Sequence, residues 1–166
     1  IGRIPRDWKV VRLGEVLKFK NGINFSKEEK SDEGILTLDV LNMFRENIAV
    51  DFNNAYRVNK KISTDYLLQE GDILFVRSSV KREGVGWTSL FAGFPEPTTF
   101  CGFLIRGRIF KNDILPEYVV YYLRSEKGRN NLISMSGQMA ITNVSQEVIS
   151  KVIIPLPPLP EQKKIA

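Results

Sequence analysis

Residues 155–166 read PLPPLPEQKKIA, and the run that leads into them, Lys151–Leu156, reads KVIIPL. Half of the eight prolines in the chain fall here, at Pro155, Pro157, Pro158 and Pro160. Proline has no amide to donate and disfavours helix in the residue before it. The apolar run is therefore expected to be a last core strand, and the prolines its extended exit and a stiff connector. EQKKIA is built of helix formers, but six residues make no stable helix alone. The expectation is a helix that starts near Leu159 and is cut short. On that reading residues 1–158 form one domain, and 159–166 are the truncated start of a longer spacer helix. The chain begins at Ile1 rather than Met, which reads as a processed or excised N-terminus.

The elements before this end are mixed. Trp8–Leu13 (WKVVRL) and Ile35–Val40 (ILTLDV) read as strands, and Gly14–Phe19 as a short turn or helix ending at Lys20-Asn21-Gly22. Asp72–Arg77 (DILFVR) reads as a buried strand, followed by the glycine-bearing basic loop Ser79–Gly86 and a returning strand Trp87–Phe91. Thr98–Phe110 (TTFCGFLIRGRIF) reads as a long strand interrupted at Gly102 or Gly107. Helices are expected from Pro116, from Lys127 to Met135, and after the cap Ser145. Ser26–Gly34 and Asn42–Asn54 read as exposed loops, and Ser63 or Thr64 as the cap of a short helical turn. Strands and helices alternate without a β-α-β rhythm. The fold class is therefore α+β, a mixed or antiparallel sheet with several short helices packed on it.

Length and composition bound what such a domain does. The chain has 166 residues, 43% hydrophobic and 26% charged, which suits one globular domain. No apolar run approaches the roughly 20 residues that span a bilayer, and the first ten residues, with Arg3, Arg6, Asp7 and Lys9, make no signal peptide. The single cysteine, Cys101, has no partner for an internal disulfide, which fits a reducing cytoplasm. Cys101 also has no histidine to activate it, because the chain contains none. That absence removes Ser-His and Cys-His catalysis and most catalytic zinc sites. There is no GxxxxGK[ST] loop, and Leu156-Pro157-Pro158-Leu159 lacks both ends of an amino-methyltransferase [DNS]PP[YFW] tetrad. Glu28-Glu29-Lys30 and Glu161-Gln162-Lys163 have the ExK form of a nuclease triplet, but not on a strand with an upstream acid. No catalytic residue, metal or cofactor is therefore expected. The net charge of +5 permits contact with nucleic acid without requiring it.

The best candidate contact surface is Arg77–Trp87 (RSSVKREGVGW). It presents Arg77, Ser78, Ser79, Lys81, Arg82 and Trp87 beside flexible glycines. Arginine bonds guanine through two atoms, and lysine and serine suit phosphates. The plainer reading is a solvated hairpin tip. Lys18–Lys27 (KFKNGINFSK) interleaves Lys20, Asn21 and Asn24 with Phe19 and Phe25. Asparagine can read adenine, and the plainer reading here is a turn with core aromatics. Gln138, Thr142 and Asn143 form a third polar cluster, and Asn42, Arg45, Asn47, Asn53 and Asn54 a fourth. Lys60-Lys61 and Lys163-Lys164 read as solvated.

Three motifs carry a resemblance that spans the chain. The opening Ile4-Pro5-x-x-Trp8-x-x-x-x-Leu13-Gly14-Glu15-Val16, then Asn21-Gly22, resembles the start of a target recognition domain of type I restriction–modification specificity subunits. Gly71-Asp72-Ile73-Leu74 is similar to that family's L-x-x-G-D-I-L core strand. Ile153-Ile154-Pro155-Leu156-Pro157-Pro158-Leu159-Pro160-Glu161-Gln162 is similar to its I-P-L-P-P-L-x-E-Q close, the most specific of the three. The resemblance implies a non-catalytic, cytoplasmic, bacterial or archaeal protein that reads one half of a split double-stranded DNA target. It implies modification (methyltransferase) subunits as partners that methylate adenine, and through them a restriction motor-nuclease subunit. Glu161, Gln162 and Ile165 would then face a partner. The recognition loops of the family vary, so the DNA contacts rest on the residues themselves. Two alternatives stand beside it: the recognition region of a fused methyltransferase–nuclease, and a protein-interaction domain docking through Pro155–Pro160 as a polyproline ligand.

Overall fold

The computed structural model describes residues 3–79, 82–135 and 143–166, with backbone only at Arg82 and Met135. The chain opens with β1 (Lys9–Arg12), β2 (Leu17–Asn21), β3 (Lys30–Ser31), β4 (Ile35–Leu38) and β5 (Tyr56–Val58). β6 (Ile73–Val76), β7 (Thr88–Leu90), β8 (Thr98–Phe100) and β9 (Leu104–Ile109) follow. Then come helices α1 (Pro116–Arg124), α2 (Glu126–Met135) and α3 (Gln146–Lys151), strand β10 (Ile153–Leu156) and helix α4 (Leu159–Ile165).

Two four-stranded sheets and one ribbon organise these elements. The central sheet runs β2-β9-β6-β7, antiparallel throughout. The second runs β3-β5-β4-β8, with β4 and β8 parallel. β1 pairs with β10, so the first and last strands close on each other. This is the α+β architecture that the sequence implies.

β6 shows why the layers form. It is apolar at every position, and its side chains alternate between two cores. Ile73 and Phe75 face a cluster with Tyr118, Val119, Leu123 and Leu132, from the helical side. Leu74 and Val76 face a second cluster with Leu38, Met43, Phe100 and Leu104, on the side of the second sheet. β6 lies mid-sheet, between β9 and β7, and is buried on both faces.

The last proline stretch is part of this core. Pro155 pairs with Val10 and accepts a hydrogen bond from the Tyr118 hydroxyl at 2.7 Å. Leu156 and Pro157 are buried as well. Only Pro158 and Pro160 of the segment are exposed, so Pro155–Pro160 offers no continuous ridge to a polyproline-binding groove.

Several expectations need correction. Leu17–Asn21 is a strand on β9 rather than a turn or helix; only Leu13–Glu15 makes a single 3₁₀ turn. Thr98–Phe110 is not one interrupted strand: the chain breaks at Gly102, and β8 and β9 enter different sheets. Asn42–Asn54 is exposed only in part, at 44–47 and 53–54. Met43 and Val50 sit in the second core, and Asn42 is buried, donating to the Asp51 carbonyl at 2.6 Å and accepting from the Asp39 amide at 2.7 Å. No described helix is long and apolar enough to cross a membrane.

Candidate functional site

One end of the central sheet gathers the candidate residues. β2 ends at Asn21 and β6 at Val76, while β9 and β7 begin at Leu104 and Thr88. The antiparallel register places these four points side by side. The loops that leave them are 22–25, 77–87 and 101–103, so Asn24, Arg77, Ser78, Ser79 and Trp87 all belong to this end.

Ser78 and Asn143 form an isolated antiparallel bridge, and the Ser78 hydroxyl donates to Asn143 Oδ1. The Val144 amide donates to the Arg77 carbonyl at 2.8 Å. The two polar segments that stand 65 residues apart are thus one surface. Between them and β2 lies a cleft of about 520 Å³, lined by Asn21, Arg77, Asn143, Ser145, Gln146 and Glu147. With its amide turned to satisfy its neighbours, Gln146 donates to the Phe19 carbonyl at 3.3 Å and accepts from the Asn21 amide at 3.1 Å. Ser145 caps α3 through the Val148 amide at 3.2 Å. Glu147 is engaged by Lys151 at 2.5 Å, which holds its carboxyl below the usual carboxylate range.

Arg77 stands at the centre. Its backbone amide donates to the Phe103 carbonyl at 2.8 Å, and Nη1 to the Gly102 carbonyl at 3.3 Å. That contact uses one of the five donors of the guanidinium. Asn24 packs directly on Gly102, where a β-carbon would strike Asn24 Oδ1.

The loop after Arg77 is clamped from α2. Arg129 donates to the carbonyls of Glu83 at 2.8 Å and Val85 at 3.0 Å. Gly86 has φ +66° and lies against Leu132, a place with no room for a side chain. Trp87 is half-buried: its indole donates to the Met43 carbonyl at 2.9 Å, and Arg124 lies 4.8 Å above the ring. Trp87 thus supports the loop from beneath.

The other candidates divide. Lys20 pairs with Asp65 and lies 4.0 Å from the centre of the Tyr66 ring. That hydrogen bond holds the Asp65 carboxyl below its usual range. Arg45 is exposed, 3.9 Å from Asp51. Phe19 packs edge-on against Phe75, and Phe25 lies under Lys60, so these aromatics serve packing. Lys81, Gln138 and Thr142 lie outside the described residues, as does the side chain of Arg82. Cys101 is buried, donates to Asp39 at 3.1 Å, and has its thiol pushed well up by burial and by that carboxylate. Among the described residues no cluster of His, Cys, Asp and Glu is set to hold a metal.

The three residues expected to face a partner behave differently from one another. Ile165 is exposed. Glu161 accepts from the Trp8 indole at 3.0 Å. Gln162 is the correction: it is 0% exposed, accepts from the Leu115 amide at 2.8 Å, and donates to the carbonyls of Asp113 and Pro157 at 2.9 Å each. Its side chain holds α4 onto the body and has no face left for another protein.

Phe103 was missed. It projects from the 101–103 turn beside Arg77 and is 53% exposed. Inside TTFCGFLI it reads as core; the one available signal was Gly102, which marks the turn.

Comparison with known proteins bears on this surface. Residues 5–166 match the model of the type I restriction modification DNA specificity domain. The chain is 31% identical over 177 residues to a Methanocaldococcus jannaschii protein named as the MjaX type I restriction enzyme specificity subunit, covering 100% of this chain and 39% of that protein. It is 26% identical to the EcoKI specificity subunit of Escherichia coli, over 99% of this chain and 36% of that one. Among solved structures, the HsdS subunit from Thermoanaerobacter tengcongensis superposes with a TM-score of 0.69 at 23% identity, over 99% of this chain and 37% of that one. A chain from a study of type I R-M complex assembly gives 0.72 at 21% identity, again over 99% and 37%. The structural likenesses speak for the fold. The chain spans less than two-fifths of the length of these relatives.

Proposed function

Since the chain belongs to the type I restriction modification DNA specificity domain family, we propose that it reads double-stranded DNA by sequence, as one half-site reader of a split target. The observation that carries this reading is the convergence of Asn21, Asn24, Arg77, Ser78 and Asn143 at one end of the central sheet. Amides and a guanidinium are the groups that discriminate base edges, and hydroxyls and lysines suit phosphates. β6, buried on both faces beneath Arg77, keeps these groups in place when DNA arrives.

On this reading the chain binds and does not catalyse. It works in the cytoplasm, and the chemistry belongs to partner subunits, a modification methyltransferase and through it a restriction motor-nuclease. Residues 1–158 are the reader and 159–166 the root of a spacer helix. Ile165 is the residue of α4 offered to such a partner, while Glu161 and Gln162 fix the helix to the body.

The test is binding to duplex DNA of selected sequence across a salt series. The logarithm of affinity should fall with the logarithm of salt, with a slope of about −0.9 per phosphate contacted. Arg77→Ala should cost about 1–3 kcal/mol on the preferred duplex and relax discrimination at one position. Binding that ignores salt, or an Arg77→Ala chain with full affinity and unchanged preference, would refute the placement.

A further inference from the structure

We propose that Phe103 is an apolar wedge that inserts into a base step of the DNA lying on this sheet end. The inference rests on the DNA-reading function argued above.

Phe103 sits at the turn between β8 and β9, at 53% exposure. The turn beneath it is fixed from several sides. Arg77 bonds the carbonyls of both Gly102 and Phe103. The Leu104 amide donates to the Cys101 carbonyl at 3.0 Å, and the Cys101 amide to the Leu38 carbonyl at 2.9 Å. Asn24 closes on Gly102 so tightly that only glycine fits. The platform is therefore set before DNA arrives, and little backbone freedom remains to be lost on insertion.

Two further exposed apolar side chains share this end, Leu41 at 71% and Phe44 at 49% exposure. The turn bearing Leu41 is tied to the same platform, since Asp39 accepts from the Cys101 thiol at 3.1 Å. Phe44 lies 6.0 Å from the Trp87 ring. Apolar groups left in water gain by burial. Phe103 stands beside Arg77 and Asn24, which suit a polar, anionic partner. Duplex DNA satisfies both demands when a base step opens: phosphates meet the cation, and the separated base faces receive the ring. Proteins that kink DNA use Phe, Leu, Ile, Met or Pro in this way.

The experiment selects the preferred duplex of the chain from a randomised pool, then places 2-aminopurine at successive positions of it. Wild-type binding should raise the fluorescence at one step, the sign of unstacking. Phe103→Ala should abolish that rise and bind roughly tenfold more weakly, while Phe103→Leu keeps most of both. A preferred duplex bound equally well by Phe103→Ala, or with unchanged fluorescence at every position, overturns the wedge alone. A loss of affinity reproduced by replacing one thymine with deoxyuridine, without unstacking, also overturns it, in favour of methyl contact. A pool that yields no preferred duplex overturns the DNA-reading function, and the wedge falls with it.

Discussion

The carboxylate of Asp72 lies in the core at 1% exposure, with Arg108 donating to its two oxygens at 2.7 Å each and the Gln69 amide at 2.8 Å. A buried carboxylate is tolerable only when paired and hydrogen-bonded, and this one is both. The pair ties β6 to β9 just outside their ladder. Asp72→Ala strands the Arg108 guanidinium. Because Arg108 keeps some solvent, the loss should fall at or below the low end of the roughly 3–5 kcal/mol seen for broken buried pairs. A urea unfolding curve measures it, and an unchanged midpoint would mean the pair contributes nothing. Asp72 is also a residue that the sequence flagged for the right place, in Gly71-Asp72-Ile73-Leu74, without revealing its partner 36 residues on. Cys101 makes the opposite case, a thiol with chemistry in principle and none in place. Burial and Asp39 favour its protonated form. Raising the pH fills the thiolate form of an ordinary cysteine and speeds alkylation; Cys101 should resist iodoacetamide under the same conditions until denaturant opens the fold. Rapid alkylation of the native chain would show that it is exposed.

Among the elements, α4 leans on one side chain above the others. α4 has only seven residues, too few to persist without tertiary support. Gln162 supplies that support with three hydrogen bonds. Gln162→Ala leaves the Leu115 amide without its acceptor, at about 1–3 kcal/mol for a buried unsatisfied group. The loss should appear as a lower thermal midpoint, with Trp8 emission changing because its indole is bonded to Glu161. An unchanged midpoint and spectrum would show that α4 docks by other means. The proline-rich stretch made this element legible: the last core strand ends at Leu156, Pro157 and Pro158 follow, and α4 starts at Leu159, where helix formers resume. Leu17–Asn21 was less legible, because Leu13-Gly14-Glu15-Val16 before it has turn character and obscures the alternation of Leu17, Phe19 and Asn21. Gly102 was recognised as a break, yet nothing local says that the halves on either side join different sheets. That choice is made by long-range pairing, which single-sequence patterns do not carry.

At the scale of the whole molecule, the candidate surface is a product of topology. Asn21, Arg77 and Asn143 were each legible as polar loop residues of the right chemistry, but in separate clusters. Only the antiparallel order β2-β9-β6 and the Ser78–Asn143 bridge bring them together. The proposed half-site reader predicts that this one end governs sequence preference, while Lys20, held by Asp65, contributes mainly charge. Asn143→Ala should therefore weaken discrimination between duplexes more than overall binding, measured as the ratio of affinities for preferred and scrambled DNA. An equal loss on both would make Asn143 a general contact. The most direct measurement is the methylated motif of the source organism, mapped with the gene for this chain intact and deleted. One split, adenine-methylated motif should be present with the gene and vanish without it. A methylome that is identical in the two strains would contradict it.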